Sequence, residues 1–447
     1  MPEWFGTDGL RGRAGEFPLD DTTVFNLGRS LVALLRAKSL SPQVLIGRDT
    51  RESSPWLEKI LTQGIISAGG QVESAGVIPT SAISFLTREE KFSAGIVISA
   101  SHNPYRDNGI KIFQRNGFKI PEDWENFLEE KMVATSFSPS SSLPKISPFH
   151  PENYYQDKYF KFLKSCFRSS SPAPLKLVLD CAHGASSAYA PRLFTELGFE
   201  VVPICCSPTG QNINLNCGSL HPEQLARQVV THQAHLGIAY DGDADRAIWV
   251  DHHGQILNGD HTLYILAKYF QRKKALSSDK IVATVMSNLG LEKALAGLNL
   301  QLIRTQVGDK YVLDKMVAIG CNLGGERSGH TIILDECPTG DGLLTSLKIL
   351  EAVSEEGKLL DQLIAGYMEY PQILINIPAR KKPDLAVHPE AQAILKEAQQ
   401  ALAGKGRLLT RYSGTEPLLR LLLEGEDEKL LKEWGEKLRH RFEKILN

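Results

Sequence analysis

SAGIVISASHNPYRDNGIKIF, residues 93–113, is the stretch from which the fold is read. Gly95 to Ser99 are short, apolar and β-branched, the pattern of a buried strand. The chain then turns polar through Ser99, Ala100, Ser101, His102, Asn103 and Pro104, and Ile110 to Phe113 resume as strand. Asn108-Gly109 reads as the turn that brings it back. Ser101 is thus a small hydroxyl at a strand tip, with His102 beside it and Lys111 just past the turn. Ligand sites in open α/β sheets lie outside such strand ends. A surface hairpin with a few serines would show the same pattern.

Upstream, Val24, Leu27, Leu31, Leu34 and Leu35 fall on one face of a helix over residues 21–35. Val44 to Gly47 read as a buried strand ending in Arg48-Asp49-Thr50-Arg51, and Ser54-Pro55 opens a helix. A strand over 72–79 and a helix over 80–91 follow. Such alternation predicts an α/β fold with a largely parallel sheet. Phe5 to Arg13, FGTDGLRGR, reads as a glycine-rich loop presenting Arg11 to an anion. Downstream, two more α/β sets begin at Leu175 and Lys280, after Ser/Pro-rich connections at 135–148 and 169–174. Beyond Pro378 to Pro383 the pattern becomes helix, strand, loop, strand, helix: a small α+β domain. The expected domains are 1–145, 146–252, 253–368 and 369–447.

A chain of 447 residues is too long for one ordinary core. Its 42% apolar and 23% charged residues are those of a soluble globular protein, and a net charge of −2 gives no basic footprint for nucleic acid or an anionic membrane. No apolar run approaches membrane-spanning length, and MPEWFGTDGLRGR lacks the apolar core of a signal peptide. Seven scattered cysteines with no CxxC pair predict free thiols in a reducing compartment, the cytoplasm.

Three further loops carry chemistry. DGDADR, Asp241 to Arg246, sets three aspartates at alternate positions between apolar flanks. Carboxylates so crowded repel, and a hard divalent cation relieves them. An EF-hand is excluded, because Arg246 stands where glycine is needed and His252 where glutamate is needed. RYSGTEP, Arg411 to Pro417, offers backbone N–H groups and two hydroxyls for an anion, with Arg411 and Arg420 as guanidinium partners. GGERSGH, Gly324 to His330, gathers a carboxylate, a hydroxyl and an imidazole suited to the hydroxyls of a sugar. A hydroxyl nucleophile, a cation site, a polyol reader and a phosphate clamp together point to phosphoryl transfer.

ISASHNP, DGDADR, GERSGH and RYSGTEP, in that order and at these intervals, resemble the four active-site loops of the α-D-phosphohexomutases. The resemblance implies four domains, three doubly wound α/β units with mixed sheets and a smaller C-terminal one, around a central cleft. It implies that Ser101 is carried as phosphoserine and that Asp241, Asp243, Asp245 and a phosphoserine oxygen hold Mg²⁺. Glu326 and Ser328 would hold sugar hydroxyls, and Arg411, Ser413, Gly414, Thr415 and Arg420 the substrate phosphate. Arg11 and Lys111 match positions near the transferring group, and Arg246 one on the substrate. Lys111 is the candidate general base, with His102 or His330 as a further acid or base.

FGTDGLRG and VGDKYV, Val307 to Val312, resemble the phosphoglucosamine mutase branch of that family; Arg327 departs from it, where the branch often has a smaller polar residue. The expected reaction interconverts glucosamine 6-phosphate and glucosamine 1-phosphate through glucosamine 1,6-bisphosphate, feeding UDP-N-acetylglucosamine and cell-wall synthesis. The expected partner is a small hexosamine phosphate, with no nucleic acid and no membrane; a homodimer is compatible with the residues but not set by them. A glucose or mannose phosphomutase, a phosphatase with an aspartate nucleophile, and a sugar-phosphate binding protein are the competing readings.

Overall fold

The computed structural model describes residues 4–6, 8–133, 150–151, 153–169, 174–412 and 417–446. They form two compact units, Met1–Thr284 with Ile303–Ala365, and Val285–Leu302 with Gly366–Asn447.

The first unit begins with a six-stranded sheet: β1 (Phe5–Gly6), β2 (Gly9–Arg13), β3 (Gln43–Arg48), β4 (Gln71–Val77), β5 (Ala94–Ile98) and β6 (Asp107–Gln114) in the order β1-β2-β6-β5-β3-β4. β3 is parallel to β4 and β5, whereas β6 runs antiparallel to β5 and β2. Val44, Ile46, Ile96, Ile98, Ile110 and Ile112 share one buried core with α1 (Asp21–Ala37) and α2 (Ser54–Ser67). Their alternates face the other way: Gly47 and Gly95 lie against Ile83 of α3 (Thr80–Glu89). Helices therefore cover both faces, as the period of two along each strand requires. A helix missing from the sequence reading, α4 (Glu122–Val133), adds Trp124, Leu128 and Met132 to the α1–α2 side.

The structure departs from the local sequence pattern at two places. Asn108 and Gly109 are not a turn; they lie inside β6, paired with Gly12 and Arg11 of β2. Pairing on both edges outweighs the Asn-Gly turn preference, and Gly109 is needed because a Cβ there would stand 2.6 Å from Ser99 O. Likewise Phe5 to Arg13 is not a free glycine-rich loop but largely the β1–β2 hairpin.

The second sheet, β7 (Lys176–Asp180), β8 (Glu200–Ile204), β9 (Leu236–Tyr240), β10 (Ala247–Asp251) and β11 (Ile256–Leu257), is ordered β11-β10-β9-β7-β8. α6 (Ala190–Glu196) and α7 (Glu223–Thr231) pack on it, whereas α5 (Tyr154–Cys166), just before it in the chain, packs against α3, β4 and the helix over 342–356. A third set follows: α8 (Gly259–Lys273), β12 (Lys280–Thr284), α9 (Leu289–Ala296), β13 (Gln301–Thr305), α10 (Asp309–Ile319), β14 (Leu323–Gly325), β15 (Thr331–Ile333), α11 (Gly342–Glu356) and α12 (Leu360–Leu363), with strands ordered β13-β12-β14-β15. All three sheets are mixed in the same way: parallel strands, then an antiparallel return, β5–β6, β9–β10 and β14–β15.

The second unit has an antiparallel sheet, β16 (Gln372–Pro378), β17 (Gly406–Tyr412) and β18 (Leu418–Gly425), ordered β16-β18-β17, with α13 (Pro389–Leu402) and α14 (Glu428–Leu446) on it. β16 was not expected from sequence. α9 belongs to this unit, where Leu289 N donates to the buried Glu424 Oε1 at 2.9 Å. Among the described residues no helix is long and apolar enough to cross a membrane.

α1 crosses α2 at a pair of glycines, where a Cβ on Gly64 would stand 2.1 Å from Phe25 O. Alanine gains about 1 kcal/mol of helix propensity over glycine, but overpacking against backbone costs more. Gly64→Ala should lower stability by about 1–2 kcal/mol net, read as a lower Tm in calorimetry; an unchanged or raised Tm would mean that the helices part freely.

Candidate active site

The β5–β6 connection begins in a network that the sequence reading missed. Asp49 and Arg51, both fully buried, pair at 2.8 Å just after β3. The Arg51 guanidinium reaches across to the serine loop and donates to the carbonyls of Ser101 (2.9 Å), Asn103 (2.9 Å) and Pro104 (2.5 Å). Asp49 Oδ2 accepts from Ser99 Oγ at 2.7 Å, and Ser99 Oγ accepts from Ser101 N at 2.9 Å. Asn214 Nδ2 adds donors to Ser101 O and Asn103 O. Ser101 is thereby held in the left-handed region at φ +52°, a strained conformation for serine. Its Oγ donates to Asp241 Oδ2 at 2.5 Å and lies 3.3 Å from His102 Nδ1.

Asp241, Asp243 and Asp245 stand on the β9–β10 hairpin tip, buried, with one oxygen from each within 4.8 Å of the others. Asp243 Oδ2 accepts from Thr80 Oγ1 at 2.6 Å, at the N-terminus of α3, where the helix dipole favours an anion. Burial, then Asp245 and Asp243, push the Asp241 carboxyl well above the usual range. Asp243 Oδ1 and Asp245 Oδ1 are buried without a hydrogen-bond partner. Unpartnered buried carboxylate oxygens beside two more carboxylates are a fit for a hard divalent cation.

Lys111, fully buried on β6, sits 3.0 Å from Asp243 Oδ2, 3.3 Å from Asp245 Oδ2 and 3.1 Å from Asp8 Oδ2. Burial pulls its ammonium down, but Asp243, Asp8 and Asp245 outweigh this and hold it well above its usual value. So held, Lys111 is a charge and not yet a base. His102 is the converse: burial, Arg246 and Arg11 pull it down to about 4, so the ring is neutral at physiological pH. His330 lies between Asp245 (3.6 Å) and Asp309 (3.5 Å). Against burial, these carboxylates push its imidazole up to about 9. Gly340 N, however, donates to His330 Nε2 at 3.0 Å, which needs that nitrogen unprotonated. That bond leaves the ring's proton on Nδ1, facing Asp245.

Arg11 makes an ion pair with Asp8 and points at the serine loop through Ala100 O and Asn103 Oδ1, both at 3.4 Å. Glu326 Oε1 accepts from Gly308 N at 3.1 Å, and Ser328 Oγ is buried with no hydrogen-bond partner. Arg327 turns instead to the buried Asp260 at the start of α8, 3.2 Å away. Arg246 and His330 form a bridge that joins two of the loops. Asp8, Arg11, Ser101, His102, Asp245, Arg246, Asp309, Glu326 and His330 line one cavity of about 380 Å³. A larger cavity, about 520 Å³, shares Gly6 and Asp309 with it, but its walls are mainly apolar and it holds neither the serine nor the aspartate trio. Asp8, Asp49, Arg51, Thr80, Asn214 and Asp309 are thus functional neighbours that the sequence reading did not select; the charged run after β3 was the one visible signal.

In the second unit, Arg411 and Arg420 are directly opposed across β17 and β18 and line a small cavity of about 70 Å³. Burial, then Arg420, pull Arg411 down. Like charges set opposite one another in a sheet are destabilising unless an anion joins them. Ser413, Gly414 and Thr415 lie outside the described residues.

Four family signatures match the chain in order: phosphoglucomutase/phosphomannomutase alpha/beta/alpha domains I (residues 2–138), II (157–254) and III (258–370), and the C-terminal domain (374–441). The chain is 45% identical over 421 residues, 94% of each chain, to the phosphoglucosamine mutase of Solibacter usitatus. It is 42% identical over 445 residues to that of Myxococcus xanthus, covering 99% of this chain and 97% of the relative. In structure it is similar to a phosphoglucomutase/phosphomannomutase family protein of Burkholderia thailandensis, with a TM-score of 0.80, 24% identity and 99% and 98% coverage. It is also similar to an Aspergillus fumigatus N-acetylphosphoglucosamine mutase solved with GlcNAc-6P and magnesium, with a TM-score of 0.70, 17% identity and 100% and 96% coverage.

Replacing Arg51 by Met should remove the ion-pair partner of Asp49 and one donor from each of three loop carbonyls at once. Breaking a buried pair of this kind costs about 3–5 kcal/mol. Urea unfolding should show a loss of that size, with little recovery in Arg51→Lys, whose ammonium lacks the planar fork; a loss under about 1 kcal/mol would remove Arg51 from the role given to it.

Proposed function

The chain belongs to the α-D-phosphohexomutase family, and from that premise we propose that it interconverts glucosamine 6-phosphate and glucosamine 1-phosphate. The observation that carries the reaction class is the Ser101 hydroxyl bonded at 2.5 Å to Asp241, inside a trio of buried carboxylates two of whose oxygens have no hydrogen-bond partner. The sugar rests on relatives such as those of S. usitatus and M. xanthus, 45% and 42% identical.

In the proposed reaction Ser101 is carried as a phosphoserine. The free hydroxyl of the sugar attacks its phosphorus: the bond to Ser101 Oγ breaks, a new phosphoester forms on the sugar, and the hydroxyl's proton passes to a protein base. The 1,6-bisphosphate turns over and returns its other phosphoryl group to Ser101 by the reverse steps. Asp241, Asp243 and Asp245, with a phosphoserine oxygen, would hold Mg²⁺, which when bound neutralises charge on the transferring group. Arg11 and Lys111 face the same region and supply fixed positive charge. His102, neutral and 3.3 Å from Ser101 Oγ, is placed to exchange a proton with that oxygen. Lys111 is the base for the sugar hydroxyl once its carboxylate neighbours are neutralised, and His330 a further acid through its Nδ1 proton. Glu326, through its second oxygen, and Ser328 would take sugar hydroxyls, and Arg246 would face the substrate. Arg411, Ser413, Gly414, Thr415 and Arg420 would clamp the phosphate that is not transferring. The seven cysteines of the chain are free thiols in the structure, which supports a cytoplasmic setting.

Intact mass of the purified protein should show one phosphate, acid-stable and mapping to Ser101, and Ser101→Ala should lose at least about 10³-fold in kcat. A panel of glucosamine, glucose and mannose phosphates should give the highest kcat/KM for glucosamine phosphate; a higher value for glucose phosphate would make this a glucose mutase. An acid-labile acyl phosphate on Asp241 would replace the mutase with a phosphatase.

A further inference from the structure

The proposed reaction leaves unused a second cluster of metal-ligating side chains among the described residues. His183, Cys205 and Cys217 each present one ligand atom, and the three atoms lie within 4.8 Å of one another. They come from separate places: His183 follows β7, Cys205 follows β8, and Cys217 lies within the long loop between β8 and α7. Their positions are held by backbone. His183 N donates to Cys205 O at 2.6 Å, and Asn214 N donates to Ala182 O at 2.9 Å. Asp180 Oδ1 and Oδ2 accept from Ala182 N and Gly218 N, the residues next to His183 and Cys217. His183 and Cys205 are half-buried and open toward solvent, and Cys217 is buried beneath them. Cys206 points elsewhere, its Sγ donating to Ile204 O at 3.0 Å.

The donor set decides the ion. Two sulfurs and an imidazole nitrogen are ligands for a borderline-soft cation, whereas the Asp241 trio offers only hard oxygen. A tetrahedral site with Zn–S about 2.3 Å and Zn–N about 2.1 Å sets its donors roughly 3.5–3.8 Å apart, so side-chain shifts of about an ångström bring these three into place. Ser207 N donates a long bond, 3.2 Å, to His183 Nδ1, which an ion binding through this nitrogen would displace.

We propose that His183, Cys205 and Cys217 form a binding site for a divalent ion of the zinc class, with water completing the coordination. Each thiol gives its proton to solvent as its sulfur bonds the ion, and no group is oxidised or reduced. The site stands at the base of the loop that carries Asn214, whose amide holds Ser101 O and Asn103 O. His183 O accepts from Thr50 Oγ1 at 2.7 Å, one residue from Arg51. An ion here therefore ties the base of the segment that supports the serine loop, and its binding does not depend on the reaction proposed above.

The test titrates Co²⁺ into the full-length, reduced protein saturated with Mg²⁺. One equivalent should bind with a thiolate-to-cobalt charge-transfer band, which Zn²⁺ abolishes by displacement. Cys205→Ser should lose the band, and Asp241→Asn should keep it. Should Cys205→Ser fold poorly, wild-type protein provides the second readout. Zinc at about ten times its Kd should slow alkylation of Cys205 about tenfold, resolved from Cys206 by fragmentation of the labelled peptide. Absence of the band, its persistence in Cys205→Ser, its loss in Asp241→Asn, or unprotected Cys205 overturns the proposal.

Discussion

Three carboxylates buried within 4.8 Å of one another are the constraint to which the rest of the structure answers. Left alone, such a cluster would neutralise itself by taking up protons. Its neighbours supply opposing charge and dipoles from three directions: Lys111 from β6, the N-terminus of α3 through Thr80, and His330 from the β14–β15 loop. Even so, one oxygen each of Asp243 and Asp245 stays without a hydrogen bond. The remaining demand for positive charge is what makes the cluster a cation site rather than an acidic turn, and Ser101 Oγ is bonded into it.

The topology explains how distant segments meet there. Each α/β set ends its parallel strands with one antiparallel return, and the connection of that return carries the chemistry: Ser101 between β5 and β6, the aspartates between β9 and β10, Glu326 and His330 between β14 and β15. A tight hairpin fixes its tip more firmly than a long crossover does, because both flanking strands are held by ladder bonds. Backbone contacts then lock the aspartate tip to the starts of α3 and α11 and to the β14–β15 loop. Thr80 N donates to Asp243 O, Gly342 N to Ala244 O, and Ala247 N to Gly329 O. The positions of the reacting groups are thus set by these main-chain contacts together with the Arg51, Asp49 and Asn214 side chains that hold the serine loop.

Much of this was legible in the sequence, for a physical reason. Buried strands are short apolar runs, and residues that leave that pattern at a strand end stand out, as Ser101 and the DGDADR loop do. What could not be read were groups whose role depends on partners far along the chain. Arg51 serves a loop about fifty residues away, and Asn214 one more than a hundred residues away. Only the charged run around Arg51 hints at it, and nothing near Asn214 does. Asn108-Gly109 failed in the other direction: its local turn preference is real, but pairing with β2 overrides it. Both strands of the Arg411–Arg420 pair were read correctly, yet only their register shows the two guanidiniums facing each other.

The path of the chain between its two compact units has its own consequence. Residues 285–302 leave the first unit, pack with the C-terminal sheet and return. There Asn288 exchanges two hydrogen bonds with the backbone of Tyr370, and Arg407 donates to Ser287 O. The C-terminal module is therefore discontinuous in sequence. A chimaera that exchanges only the last eighty or so residues between relatives would separate Glu424 from the Leu289 amide it accepts from. The portable unit is therefore the tail together with the α9 segment, although residues 303–365 lie between them in sequence.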